Sequence, residues 1–168
     1  MNERQFRERI LPLHRMMYAY ALAIVRNDND TQDCVQEAFT RLWESRRRLD
    51  SVENHASYAL SVVRNVAVNS MSVRKGEVSD IAELHIDTPD ADALPDRLLE
   101  AKDDLGRIEA LMDLLPDNQR RVIALSSVAG LTNDEIMRVT GLSNENVRVL
   151  LSRGRKKLRE MFHKIHGL

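Results

Sequence analysis

The chain holds a single cysteine, Cys34, so it can build neither a disulfide framework nor a cysteine-based zinc site. Six glycines and four prolines in 168 residues are too few for a turn-dense all-β fold. Aromatic residues make up only 4%, which leaves few candidates for any site made of stacked rings. Apolar runs fall far short of the roughly 20 residues that a helix needs to cross a bilayer. Met1-Asn2-Glu3-Arg4-Gln5 lacks the basic-then-apolar layout of a secretory leader. These shortages predict a cytoplasmic protein without membrane insertion. Catalytic signatures are missing too. There is no phosphate-cradling glycine loop and no paired-carboxylate motif. Cys34 sits inside a helical apolar pattern with no histidine near it in sequence. Of the five scattered histidines only His163 and His166 have helical spacing, at the end of the chain. The sequence therefore predicts no enzyme, no metal and no cofactor.

What is present suits a foldable helical chain: 43% apolar and 30% charged residues. The length allows one domain or two small ones of roughly 60–75 residues. Charge divides the chain into three. Residues 1–75 carry a net +3, residues 76–104 a net −8 and residues 105–168 a net +4, which together give the overall −1. Two basic lobes thus flank an acidic connector. The connector contains Pro89, Pro95 and the run Asp87-Thr88-Pro89-Asp90-Ala91-Asp92, with no sustained apolar period, and it reads as a flexible tether. Residues 143–168 concentrate seven bases against Glu145 and Glu160, an electrostatic footprint that the near-neutral whole hides.

Apolar spacing predicts helices throughout. In the first lobe a helix runs from Asn2 or Glu3 to about Asn27, divided or kinked at Pro12. Asp30 or Thr31 can cap a second, in which Val35, Ala38, Phe39, Leu42 and Trp43 share one face. A third repeats that spacing with Ala59, Val62, Val63, Val66 and Ala67, capped by Asn54 or Ser57. In the second lobe helices are expected over Leu99 to about Leu115 and Asp117 to about Val128, with Pro116 between them. Thr132-Asn133-Asp134-Glu135 fits a capping box at the head of a short helix that ends at Gly141. Ser143 caps the last helix, whose stripe runs Val147, Leu150, Leu151, Gly154, Leu158, Met161, Phe162 and Ile165. Gly154 in that stripe would let a neighbouring helix come close. The fold class is all-α: an N-terminal bundle and a C-terminal four-helix domain.

A short helix, a glycine turn and a longer basic helix make a helix-turn-helix. DNA-reading versions set the N-terminal part of the second helix in the major groove. The residues off the apolar stripe there are Asn144, Glu145, Asn146, Arg148 and Ser152. Arg bonds guanine, Asn bonds adenine, and Glu accepts from cytosine. Arg153, Arg155 and Lys156 follow and are placed for phosphates, which set register without reading sequence.

Leu115-Pro116-Asp117-Asn118-Gln119-Arg120-Arg121-Val122, Gly130-Leu131-Thr132-Asn133-Asp134-Glu135-Ile136, Gly141-Leu142-Ser143 and Ser152-Arg153-Gly154-Arg155-Lys156-Lys157-Leu158-Arg159 resemble the C-terminal domain of bacterial extracytoplasmic-function sigma factors. Asp33-Cys34-Val35-Gln36-Glu37-Ala38-Phe39-Thr40-Arg41-Leu42-Trp43 resembles the helix by which that family binds core RNA polymerase. Tyr58-Ala59-Leu60-Ser61-Val62-Val63-Arg64-Asn65-Val66-Ala67-Val68-Asn69 resembles its promoter-melting helix. Tyr58 stands where the family usually has Trp, and Asn69 where it usually has Asp.

The resemblance implies sigma domain 2 over 1–75, a linker over 76–104 and sigma domain 4 over 105–168. It implies core contact through Asp33, Gln36, Glu37, Arg41 and Trp43. It places −10 recognition on Tyr58, Arg64, Asn65, Asn69, Arg74 and Lys75, with the loop Val52–Ser57 holding a flipped base, and −35 recognition on the helix-turn-helix. The implied partners are core RNA polymerase, promoter DNA and, as is common in the family, an anti-sigma factor. The alternative is a stand-alone helix-turn-helix regulator that binds DNA without core polymerase. It would need only the C-terminal lobe and leaves the first-lobe motif without a role.

Overall fold

The computed structural model describes residues 1–75 and 103–167, and every regular element among them is a helix. The expected acidic tether and the expected helix start at Leu99 lie outside the described residues.

The first lobe begins with α1 (Glu3–Arg9), capped by a box in which Asn2 and Gln5 bond each other's backbone N–H. Pro12 does divide the segment. A 3-10 turn over Leu11–Leu13 leads into α2 (His14–Val25). Arg26 ends α2 in the left-handed conformation, with φ 62°. Helix α3 (Asp28–Glu44) starts two residues before the expected caps. Asn27 supplies the cap, accepting from the Asp30 N–H at 3.0 Å. Thr31 is instead buried in the first turn, its hydroxyl donating to the Asn27 carbonyl at 2.7 Å. A 3-10 turn over Arg48–Ser51 precedes α4 (His55–Lys75), and Asn54 caps α4 by accepting from the Ser57 N–H. Met17, Tyr20, Ile24, Leu42, Leu49, Leu60 and Val63 are fully buried among these helices. Each large apolar side chain removed from water stabilises the bundle by roughly 1.5–3 kcal/mol.

The second lobe holds α5 (Asp104–Asp113), capped by Asp103, and α6 (Asp117–Ile123), which opens directly after Pro116. The expected continuation to Val128 is present but wider. Ala124–Val128 form a π turn, in which the Ala129 N–H reaches the Ala124 carbonyl at 3.1 Å. Helix α7 (Asn133–Thr140) carries the capping box, with Thr132 and Glu135 bonding each other's backbone N–H. Gly141 ends α7 at φ 75°, a conformation glycine adopts without steric cost. Ser143 caps α8 (Asn144–His166). On α8, Val147, Leu150, Leu151 and Gly154 are buried. Phe162 departs from the expected stripe and is half-exposed, because α5 covers only Leu158, Met161 and Ile165 at that end.

The two lobes are in contact. Helix α2 packs on α6 and the π turn, α4 packs on α7, and the buried apolar residues form one cluster through both. Gly154 has the role its place suggested: a Cβ there would lie 3.0 Å from Cγ1 of Ile123 on α6. Gly154→Leu is therefore expected to lower stability by about 1–3 kcal/mol through overpacking, read as a lower urea midpoint with an unchanged slope.

Candidate nucleic-acid interface

All eight residues expected to face −35 DNA lie on the exposed side of α8. Asn144, Glu145, Asn146, Arg148, Ser152, Arg153, Arg155 and Lys156 are each solvent-exposed. In the first turn of α8 Asn144, Glu145 and Asn146 face solvent, while Val147 packs into the core. Two shallow hollows flank the α8 axis. One is lined by Asn144, Glu145, Arg148, Val149, Ser152 and Arg153, the other by Asn133, Arg148, Leu151, Ser152, Arg155 and Arg159. Arg148 borders both. Arg155 donates to the Ser126 hydroxyl at 3.1 Å, so the π turn holds that guanidinium against the lobe. Lys156 pairs loosely with Glu160 at 4.0 Å. Arg159 and Ser126 were not singled out in the sequence. Basic character alone could have suggested the first, but only the fold brings the second to the site.

The residues expected at the −10 element separate into two groups. Tyr58, Asn65 and Asn69 lie along one stripe of α4, with Asn65 and Asn69 exposed and Tyr58 half-buried. Arg64 points to another side of the helix and is only 8% exposed. Arg74 is exposed but forms a short ion pair with Asp30 at the start of α3. That hydrogen bond, aided by the charge of Arg74 and opposed by partial burial, holds the Asp30 carboxyl below its usual 3.8. The same bond raises the Arg74 pKa. Lys75 closes α4. The outward stripe is thus largely uncharged, and the two arginines are engaged elsewhere.

On α3, Asp33, Gln36, Glu37 and Arg41 are exposed on one face, and Glu37 pairs with Arg41 one turn on. Trp43 is 37% exposed. Phe6 meets it edge-on at 5.0 Å, and the Arg46 guanidinium lies 4.1 Å above its ring. Leu42 is core, as its place in the stripe indicates. Phe39 is only partly buried and stacks on His14 at 5.8 Å. With Leu11, Tyr18, Val35 and Gln36 it lines a groove of about 650 Å³ that the sequence did not reveal. Cys34 is buried in the core, where desolvation pushes its thiol pKa up despite a hydrogen bond from Ser70.

Among the described residues, polar bonds also join the lobes. Arg26 donates to the Asp113 carbonyl at 2.7 Å. Arg120 donates to the Ala23 carbonyl at 2.7 Å. Asn54 donates to Glu135 at 3.1 Å. Arg120 also bonds the Leu115 carbonyl and Asp117. Its burial lowers the guanidinium pKa, opposed by the Asp117 bond. Burial alone would raise the Asp117 pKa, but the bond and charge of Arg120 outweigh it and the carboxyl titrates below its usual range.

Fold and surface together define a two-lobed helical protein with a helix-turn-helix whose last helix is exposed and basic. Residues 10–76 match the model of sigma-70 region 2, and residues 105–158 match that of sigma-70 region 4. The chain is 26% identical over 151 residues to the ECF RNA polymerase sigma factor SigX of Bacillus subtilis, covering 88% of this chain and 78% of SigX. It is 27% identical over 146 residues to the probable RNA polymerase sigma factor RfaY of Xanthomonas campestris, covering 84% of this chain but 36% of RfaY. Its fold matches that of the sigma factor RpoE of Bartonella quintana, solved in complex with the anti-sigma factor NepR. The TM-score is 0.71, with 20% identity over 95% of this chain and 97% of that one. The chain belongs to the sigma-70 family, in its extracytoplasmic-function group: a sigma factor that binds RNA polymerase and directs it to promoters. The stand-alone regulator is not favoured, since it gives the match over 10–76 no role.

The Asp30–Arg74 pair gives a pH test. A carboxyl held below its unfolded value stabilises the fold above that value and loses the contribution as pH falls through the folded midpoint. In Arg74→Ala the Asp30 carboxyl is expected to titrate back near 3.8 in a carbon-13 NMR titration. Acid unfolding should then begin at higher pH.

Proposed function

We propose that residues 1–75 form the domain that docks on core polymerase and opens the −10 element, and residues 105–168 the domain that reads the −35 element. Residues 76–104 link them. The observation that carries this reading is the order of the two regional matches along one chain, each coinciding with an exposed polar face.

Asp33, Gln36, Glu37, Arg41 and the open edge of Trp43 contact the core. Their exposure on one side of α3 supports this role. On α8, Arg148 reads a base edge, helped by Asn144, Glu145, Asn146 and Ser152, while Arg153, Arg155 and Lys156 hold phosphates.

Opening the −10 element needs no covalent chemistry. The binding free energy of the unpaired strand offsets unpairing, through stacking and capture of a flipped base. Tyr58, Asn65 and Asn69 serve the strand, and the stretch 52–57, whose last three residues form the first turn of α4, takes the base. Arg64 and Arg74 act from behind this stripe, holding α4 in place. The protein works in the cytoplasm without catalysing a reaction itself, and an anti-sigma factor is among its partners. The relative solved with NepR supports that last assignment.

The deciding experiment is selection from randomised duplexes with and without bacterial core polymerase, followed by transcription from the enriched sequences. A core-dependent bipartite site with new transcripts starting downstream is expected. Tight core-independent binding to one contiguous or palindromic site, without transcripts, would overturn the reading.

Two substitutions separate reading from holding. Arg148→Ala should change the preference among −35 sequences, with a loss of roughly 1–3 kcal/mol on the preferred one. Lys156→Ala should weaken all sequences alike and reduce the salt slope by about one. Equal effects of both across a promoter panel would show the reading edge to be misassigned.

A further inference from the structure

Over residues 144–153 of α8 every exposed side chain is polar or charged except one. Val149 stands among them, 38% exposed. It does not belong to the buried stripe, which Val147, Leu150 and Leu151 carry here. Helix stability does not account for it, since valine is a weaker helix former than alanine, leucine or arginine. A lone exposed apolar residue is ordinary on a protein surface. What sets Val149 apart is its place. Helical spacing puts it one turn after Glu145 and one turn before Ser152, beside Arg148. These four side chains line the same hollow. Val149 therefore lies in the middle of the face proposed to read the −35 element, and not at its rim.

The code in the major groove is only partly one of hydrogen bonds. Thymine presents its C5-methyl group there beside an O4 acceptor, while cytosine presents an N4 donor and no methyl. Groups that only donate or accept hydrogen bonds do not sense that methyl, and apolar contact does. The polar residues around Val149 suit other features: arginine suits guanine, glutamate the cytosine N4 donor, and asparagine adenine. The thymine methyl is the feature they leave without a partner. Valine is suited to it by stiffness. In a helix one χ1 rotamer dominates, so its two γ-methyl groups are held in place and little rotamer freedom is lost on contact. A methionine at the same site would have more to lose.

We propose that Val149 is a specificity-determining residue: its γ-methyl groups pack on the C5-methyl of one thymine in the −35 element and discriminate against cytosine there. This rests on the reading of α8 as the −35 helix and gives it a base feature that hydrogen-bonding residues do not sense. The contact removes one DNA methyl group from water, which corresponds to a preference of about fourfold over the same base without its methyl.

Deoxyuridine pairs as thymidine does and lacks only that methyl. The test replaces each thymine of the selected −35 duplex by deoxyuridine in turn. Binding of the full chain is measured by competition, with core polymerase where binding requires it. For the wild-type chain, replacement at one thymine is expected to weaken binding about fourfold. Val149→Ala removes both γ-methyl groups. Its fold holds, because the site is exposed and alanine is the strongest helix former. The variant should bind the unmodified duplex more weakly by a similar factor and make no distinction between thymine and uracil at that position. A wild-type chain indifferent to every replacement would overturn the proposal. So would a sensitive thymine that stays equally sensitive in Val149→Ala. Whether binding and transcription require core polymerase reports separately on the sigma-factor reading. The thymine scan is read on the selected duplex in either case, so the two failures stay distinct.

Discussion

A guanidinium withdrawn from water has to find partners for its donors, and Arg120 finds them in three directions. One bond closes the turn between α5 and α6 at the Leu115 carbonyl, one pins the first turn of α6 at Asp117, and one crosses to the Ala23 carbonyl of the other lobe. Leaving such a charge unpaired costs several kcal/mol, far more than an exposed ion pair returns. Much of the second lobe's position follows from this one side chain. Helix α6 is fixed between α2 on one side and α8 on the other, and Gly154 lets α8 come close enough to Ile123 to complete the packing. The helix-turn-helix is then carried on a frame whose orientation is set by a buried residue outside it.

The two surfaces proposed to meet DNA differ in their physics. The outward side of α8 is dense in arginine and lysine, which suits a duplex approached from a distance through long-range charge. The outward stripe of α4 presents Tyr58, Asn65 and Asn69, while Arg64 is buried and Arg74 is held by Asp30. Such a stripe has little to offer a closed duplex. It has stacking and amide groups to offer bases once they are exposed. On the proposed reading, the charge-rich lobe serves the encounter and the neutral stripe the opened strand.

Features set by near neighbours in the chain were legible in the sequence. Pro12 divides the first helical segment, Thr132 and Glu135 form their box, Gly141 turns the chain, and the polar edge of α8 faces outward. The misses arose where a local rule had two solutions or where distant chain decided. Asn27 outcompetes Asp30 and Thr31 as cap, because Thr31 is drawn into the core and Asp30 meets Arg74. Phe162 has the period of the stripe but reaches past the elements that would cover it. Arg64 looks like an exposed cation in any linear reading, and only the packing around α4 buries it. Nothing in spacing or composition announces that Arg26 and Arg120 trade carbonyls across the lobes.

Glu135 carries two bonds on one carboxylate. One oxygen accepts from the Thr132 N–H and closes the helix start, and the other accepts from Asn54 of the opposite lobe. A change at this position alters the integrity of a reading module and its attachment to a neighbour in the same stroke. Drift at residue 135 is thus constrained twice, and a lineage that loosens the junction can do so more freely at Asn54, where aspartate serves the α4 cap equally well. The junction is therefore expected to diversify from the first-lobe side, with the glutamate as its fixed half.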